Sequence, residues 1–255
     1  MIKAVFFDFY NTLVKFWPPL EQIQQSACQE FGLNISEEGA KHGYAVADVY
    51  FNLENENRPL GLRTDEDRLE FFTSYEQLIL DTAGLSVSPD LAKRIWKMAA
   101  SVPKEFMVFD DTMAALADLH DRGYQLGIIS NLRSDMRQIC RHLGIGQYVD
   151  FVVNSAEAGS EKPSARIFQA ALERARVAPH QAVHVGDQHR SDVLGARRVG
   201  IHPVLIDRGS YHSDVNDCTR IATLSELASV LASAPQSLLP AKHRRIPQLL
   251  DQVEE

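Results

Sequence analysis

The residues that could do chemistry are Asp8, Ser130, Asn131, Lys162, Asp187 and Asp192, each beside the end of an apolar run or the start of a helix. Ala4 to Phe7 is unbroken apolar sequence, the pattern of a strand buried on both faces, and it stops at an acid. A carboxylate at the C-terminal end of a buried parallel strand faces the crevice where open α/β sheets bind ligands. Taken singly, each residue has a structural explanation. Asp8 or Ser130 could cap a helix, Lys162 could be a surface lysine, and Asp187 could belong to an ordinary turn after Gly186. Taken together they form a coherent kit. Acids close to one another repel and raise a carboxylate pKa unless positive charge stands between them. Mg²⁺ meets that need, because it takes one or two protein carboxylates together with waters and a phosphate oxygen. Lys162 would shield the charge of Asp8 and hold an anionic substrate, while the Ser130 hydroxyl and adjacent backbone amides donate hydrogen bonds to it.

These residues meet only if the elements between them wind in one particular way. From Phe109 onward helices alternate with apolar strands at Tyr124–Ile129, Phe151–Val153, Ala182–Val185 and Pro203–Ile206. That alternation predicts a doubly wound, Rossmann-like parallel sheet whose right-handed crossovers bring the strand C-termini to one edge. Between Leu13 and Pro103 the pattern is helical throughout, over Pro19–Phe31, Ser36–Leu53, Thr64–Ala83 and Ser88–Ser101. Ser36, Thr64 and Ser88 are followed by acids in the first turn, as helix N-termini prefer. The expected division is an α/β core at 1–14 and 104–235, a helical cap at 15–103 and a C-terminal tail at 236–255. The tail carries Pro240, Pro247 and the basic run Lys242 to Arg245, and reads as a solvated segment or terminal helix.

Composition narrows the classes. With 255 residues, 45% of them hydrophobic, the chain can bury a substantial core. A net charge of -8 disfavours nucleic acid and anionic membrane as partners, and is compatible with a local basic pocket for a small anion. Cys28, Cys140 and Cys218 are odd in number and lack C-x-x-C spacing, which argues against a disulfide framework or a zinc site. With no leader pattern ahead of the first strand and no run of membrane-spanning length, the expected location is the cytoplasm. Oligomeric state is not legible.

The motifs FFDFYNTL at Phe6–Leu13, IISN at Ile128–Asn131, EKPSARIF at Glu161–Phe168 and VGDQHRSDVLGARRVG at Val185–Gly200 resemble, in order and spacing, those of the haloacid dehalogenase superfamily. The resemblance runs from Met1 to about Gly209 and places the helical block where that family carries its mobile cap. It implies that Asp8 is a nucleophile forming a covalent intermediate, with Ser130 binding the transferred group and Lys162 steadying both. It also implies that Thr12 and Asn131 belong to the phosphate-binding set. Mg²⁺ would be held by Asp8, the backbone carbonyl of Tyr10 and Asp187, with Asp192 supporting directly or through water.

One position departs from the family's phosphatases, which usually carry a second aspartate as proton donor two residues after the nucleophile; here it is Tyr10. A phenol of pKa near ~10 is a poor substitute for a carboxylate general acid. The dehalogenase branch does place a tyrosine there, but works without metal and lacks the acidic pattern of Asp187 and Asp192. The preferred expectation is a Mg²⁺-dependent phosphatase of a small metabolite, the acid role falling to substrate, water or a cap residue. The alternatives are a metal-independent 2-haloacid dehalogenase and a weakly active or non-catalytic phosphate-binding member. Trp17, Tyr44, Tyr50, Arg58 and Arg63 are cap side chains that could reach the site, although aromatics at helical spacing more often build core. His184, inside an apolar strand pattern, reads as a satisfied core residue.

Overall fold

The computed structural model describes residues 1–233, so the expected end of the core at 235 and the tail at 236–255 fall outside the described residues. In chain order the strands are β1 (Ala4–Phe7), β2 (Val14–Trp17), β3 (Glu105–Val108), β4 (Gln125–Ser130), β5 (Phe151–Asn154), β6 (Ala182–Gly186), β7 (His202–Ile206) and β8 (Thr219–Ile221). Six of them form one parallel sheet in the order β5-β4-β1-β6-β7-β8, with β1 between β4 and β6. Phe7 is in register with Ile128 on one side and Val185 on the other. The residues that follow these strands therefore share one edge.

Helices α1 (Leu20–Gln29), α2 (Glu37–Asn57), α3 (Asp65–Thr82) and α4 (Pro89–Ser101) all lie between β2 and β3. Their N-termini are fixed as the sequence suggests. Ser36 Oγ accepts from the Gly39 amide at 3.0 Å, Thr64 and Asp67 form a capping box, and Ser88 Oγ accepts from Leu91 at 3.3 Å. The short helices and crossovers of the core are α5 (Thr112–Asp121), α6 (Met136–His142), α7 (Ser155–Ala158), α8 (Ala165–Ala175), α9 (Gly195–Arg198) and α10 (Leu227–Ala232).

Alternation along β1 sorts the core. Val5 and Phe7 pack with Leu116, Leu126, Val183 and Leu227 on one face, whereas Ala4 and Phe6 pack with Ile167, Phe168 and Ala196 on the other. The helical insertion has its own core around Ile23, Cys28, Leu80 and Ile95. Two features correct the sequence reading. Val14–Trp17 and Glu105–Val108 pair antiparallel into a two-stranded ribbon at the root of the insertion, where no strand was expected. The helix that the alternation places between the Ala182–Val185 and Pro203–Ile206 strands begins as a π-helical turn at His189–Leu194 and runs into α9.

Candidate active site

Asp8 follows β1 and its amide donates to the Val185 carbonyl of β6 at 2.8 Å, which locks the side chain at the sheet edge. Lys162 approaches from the loop before α8. Its Nζ donates to Asp8 Oδ1 at 2.5 Å and to Asp192 Oδ1 at 2.7 Å, with 3% of the lysine side chain exposed. Asn131 holds the lysine backbone at both ends: its Oδ1 accepts from the Lys162 amide at 2.7 Å and its Nδ2 donates to the Lys162 carbonyl at 3.2 Å. That side chain thus positions the lysine. Ser130, at the end of β4, lines the cavity above Asp8, and its hydroxyl accepts from the Leu132 amide at 3.2 Å.

Asp192 is seated by the π-helical turn, a geometry that recurs at functional sites. Its Oδ2 accepts from the Gln188 amide at 3.0 Å and its Oδ1 contacts His184 Nε2 at 2.9 Å. Gly186 makes room for it, since a Cβ there would lie 2.2 Å from the Asp192 Cγ. Asp187 Oδ2 accepts from Gln188 Nε2 at 3.1 Å. Asp8, Asp187 and Asp192 each offer a carboxylate oxygen within 4.8 Å of the others.

The electrostatics follow from crowding. Burial opposes the charge on Asp192, but Lys162 and His184 overcome it and hold the carboxyl below the usual range. Burial disfavours the charged Lys162 as well, and Asp192 and Asp8 more than offset this. Asp187 has no such partner in contact. Burial, then Asp8 and Asp192, push it well above an ordinary carboxyl.

Not every candidate reaches the cavity. Thr12 is fully buried, absent from the cavity wall, and its hydroxyl has no hydrogen-bond partner. Among the cap candidates Tyr44 lines the wall, while Trp17, Tyr50, Arg58 and Arg63 do not. Tyr50 stacks on Phe71, and Arg58 and Arg63 pair with Asp67 and Glu54. Asp48 of α2 is a wall residue that the sequence reading passed over. Tyr75 donates to its Oδ1 at 2.6 Å, and burial raises the carboxyl to about 6.

The sequence model of the haloacid dehalogenase-like hydrolases matches residues 2–200. The chain belongs to this family. Among curated members of the haloacid dehalogenase-like hydrolases, it is 30% identical to haloacid dehalogenase-like hydrolase domain-containing protein 3 of Homo sapiens, over 80% of this chain and 82% of that one. It is also 30% identical to the glyceraldehyde 3-phosphate phosphatase of Methanopyrus kandleri, over 83% of this chain and 86% of that one. The crystal structure of a HAD phosphatase from Thermococcus onnurineus matches with a TM-score of 0.53 and 27% identity, covering 90% of this chain and 98% of that one. What sequence reasoning missed in this hydrolase is the support behind the acids. His184 was read as core, and it is fully buried against Phe168, yet its Nε2 also orients Asp192. The only local signal was its place two residues before Gly186-Asp187.

Proposed function

We propose that this hydrolase is a Mg²⁺-dependent phosphatase that cleaves a small phosphorylated metabolite through an aspartyl-phosphate on Asp8. The observation that carries this reading is Asp8, salt-bridged to a buried lysine, facing Asp187 and Asp192 at the floor of a cavity. Three carboxylates are a hard oxygen donor set, which fits Mg²⁺. Asp192 already accepts three hydrogen bonds, so Asp8, Asp187 and the Tyr10 carbonyl are the groups assigned to direct coordination, with Asp192 in support. When bound, Mg²⁺ polarises the phosphoryl group and neutralises the acidic cluster.

The residues then divide the work. An Asp8 carboxylate oxygen attacks phosphorus; a new P–O bond forms as the ester P–O bond breaks, and the leaving group departs as its anion and takes a proton from water. Water attacks the resulting acyl phosphate at phosphorus, releasing phosphate and restoring Asp8. Lys162 balances charge on Asp8 and on the transferring phosphoryl group, and the Ser130 hydroxyl donates to its oxygens. The helical insertion serves as the cap that encloses the alcohol portion. The printed names of relatives such as glyceraldehyde 3-phosphate phosphatase support phosphoryl over halide chemistry. The paired acids Asp187 and Asp192 do so too, as a pattern the metal-free dehalogenases lack. A cytoplasmic setting fits the three free cysteines.

The test is Asp8→Asn, whose amide keeps the shape but cannot form the phosphoryl intermediate. Turnover of phosphate esters should fall to background with the circular dichroism spectrum unchanged, and wild-type activity in the variant would end the nucleophile assignment. Assays of phosphate esters and 2-haloacids with and without EDTA separate this reading from the dehalogenase. Binding of phosphate with no turnover of either class would identify a non-catalytic member.

A further inference from the structure

The cavity above Asp8 extends into the helical insertion as a chamber of about 730 Å³, within the range of small-molecule sites. Its far wall is aromatic, built from Phe51 of α2, Phe72 and Tyr75 of α3, and Trp96 of α4. Phe72 and Trp96 stack with ring centroids 4.7 Å apart and planes 12° from parallel. Apart from Lys162, the cationic side chains on the wall are Lys104, which is committed to backbone carbonyls, and Arg133, whose side chain is 67% exposed to solvent. Lys104 Nζ donates to the carbonyls of Ala99 and Val102 at 3.0 Å, and Arg133 faces Glu161 at 3.5 Å. The polar groups that do face the chamber include Asp48 and Glu76. Inside the chamber a second phosphate or a carboxylate would meet rings and acids, with no buried, uncommitted cation among the described wall residues.

Tyr10 adds an independent constraint. No second carboxylate follows Asp8 to protonate a departing alkoxide, so the reaction favours alcohols that leave as weakly basic anions. Phenols do so, and their rings suit an aromatic wall. We propose, resting on the phosphatase reading, that the substrate is a monophosphate ester of a small aryl alcohol carrying no second anionic group.

Binding of non-hydrolysable phosphonates to the Mg²⁺-loaded protein, followed by calorimetry, tests the chamber apart from the chemistry. Phenylphosphonate should bind about tenfold more tightly than n-propylphosphonate, and 4-carboxyphenylphosphonate about tenfold more weakly than phenylphosphonate. Phe72→Leu should reduce the phenyl-to-propyl ratio to below about threefold; if that variant does not fold, Trp96→Leu takes its place, and the wild-type ratios stand as a test by themselves. Equal affinities for phenyl and propyl, or a gain from the added carboxylate, with inorganic phosphate still competing, would overturn the aryl assignment and leave the phosphatase reading intact. No binding of any phosphonate and no hydrolysis of any phosphate ester would refute the phosphatase reading and this inference with it.

Discussion

At Tyr10 the chain sets a phenol where the family's phosphatases usually carry a second carboxylate. The ring lies 4.7 Å from that of Phe16 and lines the cavity beside Asp8. Burial, followed by the charges of Asp48 and Asp187, pushes its pKa well above the usual phenol value, so it stays protonated and donates a proton poorly. Tyr10→Asp should therefore accelerate cleavage of alkyl phosphates, whose alkoxides need a proton, with a ceiling of ~10²- to 10⁴-fold. Aryl phosphates should gain less. Because the new carboxylate stands among like charges, the gain should require Mg²⁺. A folded, Mg²⁺-binding variant with no gain on any alkyl phosphate counts against the phosphatase proposal. At the same scale, Asp8 and Asp187 were nameable from the sequence because strand ends in a parallel sheet converge by rule, and Lys162 through the motif that precedes its helix. The commitment of Asn131 to the lysine backbone was not nameable, because side-chain partners are chosen by packing.

The helical insertion illustrates the same division among elements. Its helices were legible with their caps, since periodicity and first-turn acids are local signals. The β2–β3 ribbon was not, because Phe16 and Phe106 pair only after the chain has made the whole helical excursion. On α2 the positions Tyr44, Asp48, Asn52 and Asn55 share one helical face and line the cavity. Asn55 reaches the core at Glu161, 2.7 Å away, and Glu56 meets Arg190 at the same distance. The second pair is exposed and contributes little to stability. Deeper in the insertion, Gln24 of α1 donates to Glu76 of α3, and Tyr44 of α2 donates to Gln24. Burial raises Glu76 from 4.5 to about 7, with the Gln24 bond opposing it. The folded state binds this proton more tightly than the unfolded chain. Its stabilising contribution is therefore complete below 4.5 and is lost as pH rises to about 7. Glu76→Gln should flatten the decline across that window by about 1–3 kcal/mol, measured by urea denaturation at its two ends. An unchanged pH slope in the variant would mean that the glutamate is charged in the native state.

Across the whole molecule, a net charge of -8 is compatible with a small-molecule partner, and among the described residues no helix is long and apolar enough to cross a membrane. The acids at the sheet edge repel one another in the folded state alone, so an ion bound there stabilises the native protein by mass action. Mg²⁺ at a hundredfold excess over its Kd should add about 2.7 kcal/mol. That corresponds to a rise of several degrees in Tm, at roughly 2–4 °C per kcal/mol for a protein of this size. Asp187→Ala should abolish the response. A wild-type Tm unmoved across a wide Mg²⁺ titration would remove metal from the mechanism and favour the dehalogenase alternative.

The sequence by itself determined the buried strands, the helical insertion and the acids at the strand ends, because apolar runs, helical periodicity and caps are properties of neighbouring residues. Tertiary structure decided what those acids meet. The Lys162 ammonium sits between Asp8 and Asp192, 154 and 30 positions away along the chain. Nothing local to any of the three fixes that meeting; it follows from the loop before α8 packing over the ends of β1 and β6. The aromatic wall was hidden for the same reason. Phe51, Phe72 and Trp96 each fit a helix core, and only the packing of α2, α3 and α4 brings them together on the cavity wall. A sequence pattern specifies which face of a helix is apolar, and the packing of the folded chain selects what that face meets.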